Sequence, residues 1–340
     1  MRWLSDHVLS QLQASVQLPD LAGTRYRAVR FLARGGMGTV WLAEDAVLGR
    51  AVALKILELD TASGELAARL SREAMVLAHL EHPGIVPIHD AGTLPDGKPF
   101  YCMKYVQGQS LDQSLPPTLP ERLRLLQRIA EPLAFAHSRG IVHRDLKPGN
   151  IMVGAFGEVL IMDWGLAKIT KITEDALHKP DTSLSIVAEH RPWPSPTPSD
   201  EVPPTAHGRI LGTPGYMSPE QARGDSGLID ERTDVYALGA ILRFMMTVKL
   251  PKKEASRAFN LRPLNAISEK AMTADPVQRY SSVQELSADV GRYLQGDPIV
   301  AYQEGVIERA LRLYARHRTA VVLVLAYLIM RALFILFSRQ

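Results

Sequence analysis

The sequence predicts an α+β fold: a small lobe of five β-strands and one helix, a larger mainly helical lobe, and an apolar helix near the C-terminus. Three observations predict it. Strand-like runs rich in Val, Leu and aromatic residues, punctuated by Gly-bearing turns, fill residues 26–106. After Gly108 the apolar residues recur at the spacing of amphipathic helices. From 320 to 337 the chain is apolar apart from the Tyr327 hydroxyl and Arg331. With 340 residues, 46% of them hydrophobic, there is core material for one large domain or two ordinary ones.

Residues 1–23 read as a short helical or loose leader, without the long apolar stretch of a secretory signal. The small lobe, 24–107, places strands at 26–32, 39–43, 51–57, 85–94 and 99–106. Its helix lies over 66–80, where Leu66, Leu70, Ala74, Leu77 and Ala78 share a face until Pro83 and Gly84 stop it. The larger lobe, 108–297, places helices at 119–140, 234–248, 264–274 and 283–294. Within it, 170–208 carries seven prolines from Pro180 to Pro204 among many Ser and Thr, and no period; it reads as a mobile, disordered insertion.

Residues 298–318 form a basic linker with Arg309, Arg312, Arg316 and Arg318, and 319–337 reads as a transmembrane helix. The apolar stretch of about 18 residues makes roughly 27 Å of helix, the short end for a bilayer. Arg331 costs about 2.5–3.5 kcal/mol at mid-membrane, less if it snorkels, and the apolar side chains outweigh it. The basic flank predicts a single-pass membrane protein with its main domain in the cytoplasm. The alternative is an amphipathic or core helix closing the domain.

A net charge of +3 is too small to argue for a nucleic-acid partner, and none is expected. The single cysteine, Cys102, excludes an internal disulfide. Its apolar neighbours Phe100, Tyr101 and Met103 mark it as a buried structural thiol.

The chemistry-bearing residues follow in order. Ala33-Arg34-Gly35-Gly36-Met37-Gly38-Thr39-Val40 is a glycine-rich turn between strands, and glycines let backbone lie close over phosphates. Lys55 stands in the apolar run Val52-Ala53-Leu54-Lys55-Ile56, where a charge is costly unless it has a partner. His143-Arg144-Asp145-Leu146-Lys147-Pro148-Gly149-Asn150 puts an acid, a lysine and an amide on one short loop. That set can orient a hydroxyl, neutralise a moving phosphoryl group and hold a metal ion. Asp163-Trp164-Gly165 follows an apolar run, and Gly212-Thr213-Pro214-Gly215-Tyr216-Met217-Ser218-Pro219-Glu220 comes after the proline-rich stretch.

In this order the motifs resemble those of a protein kinase, from about 26 to 294. The resemblance is greatest to bacterial, membrane-anchored Hanks-type serine/threonine kinases, given Gly35-Gly36-Met37-Gly38 and Pro148-Gly149-Asn150. It implies the bilobal protein-kinase fold. It also implies an ATP site formed by Leu32, Ala33, Gly35, Gly36, Gly38, Val40, Ala53, Lys55, Glu73, Met103 and Met152, with Lys55 paired to Glu73 and to the α- and β-phosphates. Asp145 and Lys147 are the implied catalytic residues, and Asn150 and Asp163 hold Mg2+ (or Mn2+). Trp164 packs near Leu77 and His143, and His143 is structural. Arg144 receives a phosphate from the activation segment, and Thr213 faces Asp145. Glu220 pairs with Arg279, and Asp234 accepts backbone N–H groups of the catalytic loop.

The implied reaction transfers the ATP γ-phosphate to Ser or Thr hydroxyls of protein substrates, its own activation loop included. The implied partners are ATP, protein substrates and the membrane, with self-association possible in addition. The alternative is a pseudokinase or membrane-tethered scaffold; a small-molecule kinase is disfavoured by Lys147 and Thr213. Departures from the family are Ala33 in place of the first glycine, Trp164 for Phe, Ser218 for Ala, the insertion within 170–208 and a short 247–264 region. The last two put protein-substrate docking in doubt more than phosphoryl transfer.

Overall fold

The computed structural model describes residues 18–35, 38–57, 74, 76–165, 167–169, 215–248, 261–306, 308–310 and 318–337. The insertion at 170–208 and most of the leader lie outside these residues.

The small lobe is an antiparallel sheet of β1 (Tyr26–Gly35), β2 (Gly38–Asp45), β3 (Arg50–Ile56), β4 (Ile88–Thr93) and β5 (Pro99–Lys104), in the order β1-β2-β3-β5-β4. The β2–β3 turn closes because the Asp45 carboxylate accepts the N–H groups of Val47 and Leu48, both at 3.2 Å, and Gly49 takes φ +61°. Alternation along the strands then separates two faces. Val52, Leu54 and Ile56 join Trp41, Phe100, Cys102 and Leu21 in an outer cluster. Ala53, Leu57, Tyr101 and Met103 point the other way, into the main core. Lys55 lies on that inner face, opposite Tyr101 in the register. Cys102 is fully buried, and burial pushes its thiol up to about 11.

One expected strand is shorter in the structure. The run read as 85–94 pairs as a strand only from Ile88; Ile85 instead makes an isolated parallel bridge to Ile161. Pro87 explains the break, since it has no N–H to extend the ladder, while its carbonyl accepts from Lys104 at 3.1 Å. Ala74 and residues 76–79 are helical, and the rest of the helix expected over 66–80 lies outside the described residues.

The larger lobe adds short strands β6 (Gly108–Ser110), β7 (Ile141–Val142), β8 (Ile151–Gly154), β9 (Val159–Ile161) and β10 (Lys168–Ile169). β6, β8 and β9 form one small sheet, and β7 pairs β10. Its helices are α1 (Leu119–Ser138), α2 (Pro219–Arg223), α3 (Glu231–Thr247), α4 (Arg262–Ala271) and α5 (Val283–Gln295). α1 starts at a capping box in which Thr118 and Glu121 cap each other's backbone, and Gly140 at φ +73° turns the chain out of it. Leu119, Leu123, Leu126, Ile129 and Leu133 form its buried stripe. They pack with Leu238, Ile241 and Met245 of α3 and with Leu286 and Val290 of α5. Each such side chain contributes about 1.5–3 kcal/mol on burial.

The chain also forms α6 (Arg318–Phe337). Among the described residues, however, no helix is long and apolar enough to cross a membrane. The expected span over 319–337 falls in large part on side chains outside the described residues. The described side chains of α6, at 322–324, 326–331 and 334, are exposed. Side chains at 318–321, 325, 332–333 and 335–337 lie outside the described residues.

Candidate active site

The loop between β7 and β8 is built around a buried carboxylate. Asp234, on α3, accepts the N–H of His143 at one oxygen and the N–H of Arg144 at the other, both at 2.9 Å. Two consecutive donors on one carboxylate fix the backbone there, and Arg144 accordingly holds φ +71°, a left-handed conformation costly for a non-glycine residue. His137 approaches Asp234 at 2.7 Å. Burial pushes the Asp234 carboxyl up, but His137 and these N–H groups more than offset it and hold it below the ordinary carboxylate range.

His143 is fully buried. Its Nδ1 accepts the Asp145 N–H at 3.2 Å, and its Nε2 lies 3.0 Å from the Met162 carbonyl. A carbonyl can only accept, so the proton sits on Nε2 and both ring nitrogens are spent on backbone. That leaves His143 a structural task. Its ring centre lies 4.6 Å from that of Trp164 with the planes tilted by 58°, and Trp164 is 1% exposed and shares the core with Leu77. The Trp164 indole N–H donates to the Ile161 carbonyl at 3.4 Å.

Next to this support, three polar side chains converge. Lys147 Nζ lies 2.8 Å from Asp145 Oδ2. Asn150 Nδ2 donates to the Asp145 carbonyl at 2.8 Å and to Oδ2 at 3.2 Å. The amide nitrogen of Asn150 is thus committed to Asp145, leaving its oxygen as the free acceptor.

Lys55 comes from β3, across the cleft from the loop. Its Nζ stands 3.0 Å from Asp163 Oδ1 and 5.7 Å from the centre of the Tyr101 ring. Asp163 holds φ +58°, the second left-handed non-glycine residue beside Arg144. Burial pushes the Asp163 carboxyl up, but Lys55, helped by Lys147, holds it below the ordinary range. A carboxylate and an amide oxygen are hard ligands, suited to an Mg2+ ion that completes its shell with substrate phosphates.

Leu32 and Val40 pack beside the buried Ala53 and Met103 on the inner face of the small sheet. Ala33 lies opposite Val40, and Gly35 opposite Gly38. A Cβ on Gly38 would sit 2.1 Å from the Ile56 carbonyl oxygen, so only glycine fits there. Met152, half-buried on β8, lies opposite Ser110 and Leu160. Gly36, Glu73 and Thr213 lie outside the described residues, and with them the expected Lys55–Glu73 pair.

Farther along, Glu220 on α2 meets Arg279 with both side chains fully buried. The Arg144 side chain is half-buried, and its enclosed Nε has no hydrogen-bond partner among the described residues. Burial pulls its pKa down, only partly countered by Asp234.

Two contacts were not anticipated from the sequence. His137 against Asp234 carries no local signal, because the two are joined only by the packing of α1 on α3. Gln221 donates to the Arg144 carbonyl at 2.6 Å. The spacing of Ser218 and Gln221, a capping-box pattern, was a readable sign of the helix that carries it.

The comparisons with known proteins fit this geometry. A family model described as a protein kinase domain matches residues 26–290. The chain is 38% identical over 309 aligned residues to the serine/threonine-protein kinase PknD of Chlamydia caviae, covering 81% of this chain and 32% of that protein. The corresponding PknD of Chlamydia trachomatis serovar D is 36% identical over the same length. The chain thus spans about a third of the length of these relatives. Among solved structures, the PknI kinase domain of Mycobacterium tuberculosis is similar with a TM-score of 0.56 and 25% identity, over 82% of this chain and 100% of that one.

Proposed function

The chain belongs to the protein kinase family, and from that premise we propose that it is an active serine/threonine protein kinase. It transfers the γ-phosphoryl group of ATP to Ser or Thr hydroxyls of proteins, its own activation segment among them. The observation that carries this reading is the convergence of Asp145, Lys147 and Asn150 on one loop, with Asp163 held by Lys55 from the small lobe.

In this reading Asp145 orients the acceptor hydroxyl and takes its proton as the new oxygen–phosphorus bond forms. The bond between the γ-phosphorus and the β,γ-bridging oxygen breaks, and ADP departs. Lys147 balances charge on the transferred group, and Lys55 holds the α- and β-phosphates. Gly38 lets the β1–β2 turn lie close over the nucleotide, whose base fits between Leu32, Val40, Ala53 and Met103 on one side and Met152 on the other. Asn150 and Asp163 would hold Mg2+, which would neutralise charge on the phosphates. There is little covalent chemistry for the protein to supply, so its work is positioning and electrostatics. The pseudokinase alternative has less support, because Lys55, Asp145, Asn150 and Asp163 are all present.

The enclosed Nε of half-buried Arg144, without a partner among the described residues, suits an anion, and a phosphorylated residue of the 170–213 region is the occupant this reading assigns to it. Anchoring to a membrane through 319–337, with the kinase domain cytoplasmic, is also part of the proposal. Its support is the apolar sequence at 320–337, the basic flank before it, and the exposure of Val322, Leu323, Leu328 and Phe334.

The test is autophosphorylation of the full chain with labelled ATP, beside Asp145→Asn and Lys55→Met. Strong incorporation in the wild type alone is expected; equal incorporation in all three would sink the kinase reading. Phosphosites should cluster between 170 and 213. Alkaline-carbonate extraction tests the anchor, and release into the soluble fraction removes it.

A further inference from the structure

We propose that Gln221 is a positioning residue for Asp145, through which the end of the activation segment controls turnover; this rests on the kinase activity proposed above. Gln221 lies in α2 and is 9% exposed. Its side-chain amide is divided between two tasks. Oε1 accepts from the Ser218 N–H and from the Ser218 hydroxyl, both at 3.1 Å, which caps the start of α2. Nε2 donates to the Arg144 carbonyl at 2.6 Å.

That carbonyl belongs to the peptide group joining Arg144 to Asp145. The N–H of the same group donates to His143 Nδ1 at 3.2 Å. One end of the peptide is therefore held by the large-lobe core and the other by the segment-end helix. Arg144 holds a left-handed φ of +71°, a conformation that persists only where its surroundings impose it. The orientation of this peptide sets the direction in which the Asp145 side chain leaves the backbone, and with it the contacts of Oδ2 with Lys147 and Asn150. Helix α2 is itself fixed by the Glu220–Arg279 pair one residue away. A shift of the segment end is thus passed to the catalytic carboxylate through one amide. Glutamine suits the position because it offers an acceptor and a donor at once; glutamate would keep the cap but set an oxygen against the Arg144 carbonyl.

The experiment is steady-state phosphorylation of a Ser/Thr peptide by the full chain. For Gln221→Glu, kcat should fall by about tenfold to a hundredfold, the scale of a misplacement of about 1 Å. KM for ATP and for peptide should stay within about twofold, the pattern of a lost transition-state interaction. Ser218→Ala loses part of the cap but keeps the bond to Arg144, so its kcat should hold even where its melting temperature drops. If Gln221→Glu does not fold, Gln221→Met is read by the same criterion. A wild-type kcat in the Gln221 variant, or kcat losses in both variants that track their melting temperatures, would overturn the inference alone. A wild-type chain that binds nucleotide and transfers no phosphate would overturn it together with the activity on which it rests.

Discussion

Arg279 and Glu220 meet through two parallel hydrogen bonds of 2.7 and 2.8 Å, and neither side chain is exposed to solvent. Their remaining capacity is also used. Arg279 donates to the carbonyls of Thr273, Arg232 and Ala274, and Thr233 donates its hydroxyl to Glu220 at 3.1 Å. Burial pushes the Glu220 carboxyl up, but Arg279 and its other donors hold it below the ordinary range. The pair joins α2 to the turn after α4.

Desolvating two charges offsets most of their attraction, so a buried pair adds little net stability yet is costly to break. Glu220→Gln or Arg279→Met alone should therefore cost about 3–5 kcal/mol, because each leaves a buried partner uncompensated. The double variant should cost clearly less than the sum. Urea denaturation of the four proteins measures this, and additive losses would mean that the two residues do not act as a pair.

Arg122 explains how α3 ends. It is 2% exposed, and its guanidinium donates to the carbonyls of Met245 at 2.6 Å and Val248 at 2.8 Å, at the C-terminal end of α3, and to that of Pro116 at 2.8 Å. Burial lowers its pKa. A cation at a helix C-terminus is favourable, and here it also satisfies carbonyls that have no partner inside the helix. Arg122→Met should cost about 2–4 kcal/mol by leaving buried acceptors unpaired. Arg122→Lys should recover little of that, since a single ammonium cannot reproduce a planar fork. Full recovery by lysine in chemical denaturation would contradict this account.

Trp164 stands where a phenylalanine was expected, and its environment treats it as one. The ring is packed against His143, and the single polar atom is satisfied by the Ile161 carbonyl at 3.4 Å. Trp164→Phe should lower stability by about 1–2 kcal/mol through a small cavity and one long hydrogen bond. Phosphoryl transfer should persist, because the apolar plug beneath Asp163 remains. A loss of kcat far beyond the loss of stability would instead give the indole a part in holding Asp163.

What was legible in the sequence divides along physical lines. The strands of the small lobe and the long helices α1, α3 and α5 announce themselves, because a period of two or 3.6 repeats often enough to be counted. β7 and β10, two residues each, carry no period. Ile85–Val86 looked like the start of a strand because both are β-branched and apolar; Pro87 decides otherwise through a missing N–H. Asp145, Lys147 and Asn150 were readable as a group because they are close in sequence. The His137–Asp234 contact was not, since its partners are 97 residues apart and meet only through helix packing. Gln221 directly follows the motif that ends at Glu220, and its hydrogen bond reaches 77 residues back to the loop that carries Asp145.

Asp289 gives a test that combines geometry with pH. It is fully buried on α5 and accepts the hydroxyl of Tyr280 at 2.8 Å, the guanidinium of Arg292, and the N–H groups of Val300 and Ala301, each at 3.0 Å. The chain leaving the large lobe toward the basic linker is thereby tied back to α5. Burial pushes the Asp289 carboxyl up, but the Val300 N–H, Tyr280, Arg292 and the Ala301 N–H together hold it below its ordinary value. A carboxyl whose pKa is lower when folded stabilises the protein above its unfolded value, near 4, and that stabilisation is lost as pH falls through the folded value. Asp289→Asn would replace an acceptor oxygen by an amide nitrogen facing backbone donors. It should cost about 1–3 kcal/mol at pH 7 and speed hydrogen exchange at Val300 and Ala301. On acidification toward pH 3 the wild type should lose its advantage, so that the two stability curves converge. Parallel curves with unchanged exchange at the two amides would show that the carboxylate does not hold this segment.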